Sequence, residues 1–164
     1  MRSMAKWWMG LAVGMSVLLP GALSADDHEG HAKLPPGPIA DRHELMEGIG
    51  DQAQTINDGF LMGAEGFQVA VVQRAAEQIA ASATRIPGLF PKGSTDPNSR
   101  ALPAIWENWD KFVALSKQLE ETATSLARAA DSDQNEELRG KSKKMFATCK
   151  SCHDEFRKPE DKKP

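Results

Sequence analysis

The sequence predicts an all-α fold, an antiparallel four-helix bundle, from three observations. Ala, Gln, Glu, Lys and Leu dominate while Val and Ile are thin and Tyr is absent, a helix-former's alphabet. Four stretches place their apolar residues three and four apart, the helical period. Most connections between them are short, which makes sequence neighbours antiparallel neighbours in space. The chain has 164 residues, room for one ordinary domain, and 40% hydrophobic content is enough for a packed core. A large β-sandwich or a doubly wound sheet does not fit this composition. Two cysteines cannot build a disulfide framework. A net charge of −3 gives no basic footprint for nucleic acid.

Residues 1–25 read as a secretory signal peptide. Arg2 and Lys6 form a basic start, Trp7 to Leu19 is uncharged and apolar, and Pro20-Gly21 breaks the run before small residues at Ser24 and Ala25. The run is shorter than the ~20 residues of a spanning helix. Cleavage and export to a bacterial periplasm are therefore expected, with no membrane anchor remaining. Cleavage moves the net charge from −3 to −5.

Residues 26–38 are polar and proline-rich and read as a flexible arm. His28 and His31 lie there without a third ligand and are read as solvated. The first helix is expected from about Ile39 to Leu61, with Leu45, Met46, Ile49, Ala53, Ile56 and Phe60 near one face. Gly63 to Gly66 reads as a short turn. A second helix from about Phe67 to Arg85 presents Val69, Val72, Ala76, Ile79 and Ala83, and Pro87-Gly88 stops it. Pro87 to Leu102 is a proline-rich crossing loop. Pro103 suits the first position of a third helix bearing Ile105, Trp109, Phe112, Leu115, Leu119 and Leu126. The fourth opens on an Asp133–Glu136 capping box and runs to about Arg157, with Pro159 ending it. The bundle thus spans 39–158, and 159–164 is a tail.

The chemistry lies in Cys149-Lys150-Ser151-Cys152-His153. In an exported chain, C-x-x-C-H reads as a c-type haem attachment site. Each cysteine sulfur adds to one haem vinyl group, and the adjoining histidine offers an imidazole nitrogen to iron. On a helix the three residues stand at i, i+3 and i+4 and address the same porphyrin face. A thioredoxin-like motif would need a βαβ context that is absent here. A structural zinc site would need four ligands, with only His43 left in the folded part to help. A plain Cys149–Cys152 disulfide would leave His153 without a purpose.

A methionine on the other side of the iron must come from upstream, from Met46, Met62 or Met145. Met145 lies on the motif's own helix, ~12 Å from His153, and cannot reach the opposite face. In an up-down-up-down bundle the start of the first helix is level with the end of the last. Met46 lies near that start and Met62 ~24 Å farther along. Topology selects Met46.

These motifs resemble the class II c-type cytochromes, the family of cytochrome c-prime and its low-spin relatives. The matching features are Arg42-x-x-x-Met46, Leu89-Phe90-Pro91, Ile105-Trp106 and the segment from Cys149 to Arg157. The resemblance implies a four-helix bundle, a periplasmic location, one covalent haem c and a tendency to homodimerise. It also implies that Arg42 lies near the haem propionates and that Arg157 flanks the proximal ligand. Where the family often has glutamine after the first arginine, this chain has His43.

Two functions follow as expectations. With His153 and Met46 both on iron, the protein is a low-spin carrier of single electrons between redox partner proteins. With Met46 off the iron, it is a five-coordinate haem protein that binds nitric oxide or other gases. No nucleophile with its base and no poised acid/base pair is present, so an enzyme is not expected. A peroxidase-like site would need polar distal groups, and His43 is spaced off the Met46 face. From Arg139 onward there are nine Lys and Arg against four Asp and Glu, a candidate docking patch for an acidic partner.

Overall fold

In the computed structural model, residues 34, 36–63, 68–130 and 135–159 are described. They lie in a unit spanning 32–164 and form an all-α bundle. The expected signal peptide, most of the arm, the turn residues 64–66, the Asp133 cap and most of the tail lie outside the described residues.

Helix α1 is Pro38–Ile56, followed by a π-helical turn at Asn57–Leu61. The turn is closed by Met62 N donating to Asn57 O at 2.9 Å, and Gly63 leaves it at φ 76°, a conformation glycine adopts freely. Helix α2 is Val69–Ala83. The expected third helix is broken into α3, Ala104–Glu107, and α4, Trp109–Ala129. Asn108 leaves helical geometry at φ −122°, ψ 46°, and its side-chain amide donates to Ala104 O at 3.2 Å. The break re-aims α3, whose Trp106 indole donates to the carbonyls of Phe90 and Pro91, both at 3.1 Å. It also leaves Trp109 37% exposed, so that residue is not in the core as its spacing suggested. Helix α5 is Asn135–Phe156.

The core forms where the helical stripes meet. Small residues (Ala75, Ala76 and Ala83 on α2; Ala123 and Ala127 on α4) let these two backbones approach closely around Val72, Ile79 and Leu126. The Ser116 hydroxyl donates to Ala83 O at 2.7 Å, sharing the end-of-helix carbonyl with the Ile86 N–H at 3.2 Å and tying α4 to α2. Leu138 and Met145 bring α5 onto α4. No buried side-chain nitrogen or oxygen among the described residues lacks a partner. Each sequential pair of long helices packs along its length, but α1 and α5 share no such seam.

Candidate haem site

The site is built at the end of the bundle where α1 begins and α5 ends. Two sets of contacts establish that register. At one end, Arg139 near the start of α5 donates to Leu61 O at 3.3 Å and lies 5.5 Å over the Phe60 ring, both just past α1. At the other, the crossing loop joins the first turns of α1 to the last residues of α5. Arg42 donates to Ser94 O at 2.8 Å, to Ser94 Oγ at 3.2 Å and to Ser99 Oγ at 3.0 Å. A few residues on, Leu102 N donates to Phe156 O at 3.0 Å and Lys158 N to Arg100 O at 2.8 Å, around an antiparallel bridge between Ala101 and Arg157. The antiparallel level that singles out Met46 in the sequence is therefore the level found.

Cys149 and Cys152 lie one turn apart on α5, half-buried and packed against the core. They are free thiols. Burial pushes the Cys149 thiol up, and it pushes Cys152 to about 11, helped by the neighbouring Cys149 and Glu155 charges. Both sulfurs are thus protonated and apolar at neutral pH. His153 is exposed, yet its imidazole is held below the ordinary value. Desolvation is the main cause, followed by Arg157 and Arg100, with Asp154 opposing. The ring is neutral, the form that binds a metal. Among the described residues no three His, Cys, Asp or Glu side chains gather as a metal-ion site.

On α1 the core-facing residues at this level are Leu45, Met46 and Ile49. Met46 is half-buried against the core, Met62 is 75% exposed beyond the π turn, and Met145 is fully buried on α5 itself. His43 points elsewhere, toward Glu47 at 3.7 Å. Arg42, implied to lie beside haem propionates, is 4% exposed, and the loop serines engage its guanidinium while it rests 4.8 Å over the Phe90 ring. Burial lowers its pKa and Asp96 opposes that shift. Arg157 stands one turn past His153, where its N–H donates to the His153 carbonyl at 3.1 Å.

The sequence reading missed Ser94, Ser99 and Arg100 as part of this end of the molecule. The only local hint was polar serines between prolines in a loop, and turns commonly carry them. The basic patch is also less uniform than its count suggested. Lys150 pairs with Asp154, and Lys141 pairs with Glu137 in a groove that Glu120 and Glu121 also line.

A C-x-x-C-H segment on the last helix of a four-helix bundle defines a c-type haem protein. A family model for cytochrome c′ matches residues 37–157. Cytochrome c′ of Rhodopseudomonas palustris is 35% identical over 120 residues, covering 73% of this chain and 80% of that one. Cytochrome c-554 of Cereibacter sphaeroides is 35% identical over 123 residues, covering 73% and 79%. The solved structure of cytochrome c′ from Rhodopseudomonas palustris superposes with a TM-score of 0.70 at 32% identity, over 77% of this chain and 100% of that one. The chain belongs to the cytochrome c′ family.

Members of this family bind one covalent haem c, and the residues here fit that group. Two core-facing thiols, a neutral imidazole beside them and an apolar α1 surface at the same level meet an amphipathic, iron-bearing ring. Helices α1 and α5, which present these groups, are the sequential ends of the bundle that do not close on each other. The cytochrome c′ membership agrees better with the gas-binding expectation than with methionine ligation, because the family is typically high-spin.

Proposed function

We propose that residues 1–25 export the chain to the periplasm, where the folded domain acts as a gas-binding haem protein of the cytochrome c′ kind. Cys149 and Cys152 would anchor the group to α5 through thioethers, and His153 would ligate its iron. When bound, the haem would supply one-electron chemistry and a site for a small diatomic ligand such as nitric oxide. The chain's part is to keep the surroundings of that ligand apolar. The observation that carries the reading is the surface of α1, where Leu45 and Ile49 are buried and Met46 and Ala53 pack half-buried against the core, all hydrocarbon or thioether side chains. Such a wall excludes water and offers no proton donor or acceptor, which suits binding of an uncharged gas and not peroxide chemistry. Burial, then Arg157 and Arg100, lower the pKa of His153 and favour its neutral form. A second copy of the chain and redox proteins are the proposed partners.

A second reading has its own support. Met46 is half-buried at the His153 level, so a thioether is available to iron and would make the protein a low-spin electron carrier. The ferric absorption spectrum of wild type and Met46→Ala separates the two. Gas binding predicts a high-spin spectrum in both proteins. A low-spin wild type with a near-infrared methionine band, lost in Met46→Ala but kept in Met62→Ala, would give the role to electron transfer.

A further inference from the structure

Helices α1 and α5 face the same site, yet neither leans on the other along its length. Packing through α2 and α4 relates the two helices along the bundle, and at the haem end the crossing loop touches both directly. On the α1 side its hold is a buried charged side chain. The Arg42 guanidinium donates to Ser94 O, Ser94 Oγ and Ser99 Oγ and stacks over Phe90. On the α5 side its hold runs through backbone carbonyls, which accept from two backbone N–H groups and two side chains. Leu102 N and Lys158 N close the bridge around Ala101 and Arg157, Arg100 Nη2 donates to Lys158 O at 2.8 Å, and Lys158 Nζ donates to Ser99 O at 3.0 Å. Ser99 is the joint. Its hydroxyl receives Arg42 while its carbonyl receives Lys158, so a load on α1 passes through one residue to α5. The loop is itself stiff, with Gly93 turning at φ 80° and Ser94 N donating to Pro91 O at 3.1 Å.

We propose that residues 90–102 form a strap that fixes the spacing of α1 and α5 at the haem end, with Arg42 as its clamp and a positioning residue for the distal wall. Met46 follows Arg42 by one helical turn on the same side, so the clamp holds the wall where Met46 stands. The proposal rests on the reading that places haem between these helices. Releasing the clamp lets the first turns of α1 move outward and widens access to the distal side. It leaves His153 and both thioethers in place, because none of them is held through Arg42.

The test uses the haem-loaded protein with Arg42→Ala, Ser99→Ala and, as a control at the far end of the same two helices, Arg139→Ala. Ser99→Ala keeps Arg42 and α1 intact, should Arg42→Ala fold poorly. Amide hydrogen exchange at Leu102 and Lys158 reports the strap, and carbon monoxide association with the ferrous protein reports the distal side. In Arg42→Ala and Ser99→Ala the two amides should exchange about tenfold faster or more, the population change expected when buried hydrogen bonds to a charged group are lost. Carbon monoxide should associate several-fold faster in the same two variants. Arg139→Ala should change neither reading under conditions where all the proteins are folded. Faster exchange with unchanged association overturns the proposal, and so does an equal effect from Arg139→Ala. If wild type binds no carbon monoxide, the gas-binding reading fails while the strap is still tested. The low-spin, methionine-bound fraction should then fall in Arg42→Ala and Ser99→Ala only, and an unchanged fraction overturns the strap.

Discussion

Phe112→Ala removes the residue on which the loop, α4 and the end of α5 converge. Phe112 is 2% exposed. Its ring lies 4.8 Å from Phe90 at 62°, 5.4 Å from Phe156 at 90° and 5.6 Å from Trp109 at 33°. Truncating a buried phenylalanine to alanine costs about 3–5 kcal/mol through lost transfer energy and the cavity left behind. Edge-to-face pairs of this geometry add about 0.5–1.5 kcal/mol beyond burial, two of which are lost here. The upper half of the range therefore applies, about 4–5 kcal/mol, a large fraction of the 5–15 kcal/mol that holds a typical domain together. For a domain of this size that is a fall of roughly 12–25 °C in Tm. Urea unfolding of the haem-loaded protein, followed by far-UV circular dichroism, should show a lower midpoint with an unchanged slope. Trp109→Ala, at a ring 37% exposed, should cost less than Phe112→Ala because part of that ring is already in water. A Phe112→Ala loss below about 1.5 kcal/mol, or one no larger than that of Trp109→Ala, would refute the view that packing of Phe112 between Phe90 and Phe156 secures this end of the bundle.

Intact mass spectrometry under denaturing conditions should find a chain cleaved near Ser24 or Ala25 and carrying one haem. Cys149→Ser or Cys152→Ser should leave at most one thioether and a less stable holoprotein, and recovery of bare polypeptide from wild type would remove the haem assignment. Electron transfer with an acidic redox protein should slow as salt rises, through Lys141, Lys143, Lys144 and Lys150. The slope should be modest because Asp154 and Glu137 already face two of the basic residues of the patch. A second-order rate that stays flat as ionic strength rises would dismiss the patch as a docking surface.

How much was legible in the sequence depended on the range of the interaction. The helices follow from apolar periodicity, a local property, and α1, α2 and α5 appear within a few residues of their expected bounds. The haem motif is local too, since Cys149, Cys152 and His153 need only a helix to share a side. The level of Met46 was legible because bundle topology converts short connections into antiparallel registers. The break at Asn108 was not, because it serves a distant requirement, the Trp106 indole reaching the carbonyls of Phe90 and Pro91. Arg42 stands out in the sequence but its surroundings do not. Its hydrogen-bond partners lie 52 and 57 residues away in a loop with no periodic pattern to place it. The π turn at Asn57–Leu61 is a matter of one residue of helical register, finer than hydrophobic spacing resolves.

The central claim is that Cys149, Cys152 and His153 would hold a covalent haem beside the apolar surface of α1, leaving its iron open to a gas. Adding carbon monoxide to the reduced wild-type protein and recording its absorption spectrum tests that claim most directly. The account predicts a high-spin ferrous spectrum that shifts on adding the gas, with saturation at one equivalent per chain. A low-spin ferrous spectrum that carbon monoxide leaves unchanged would contradict it.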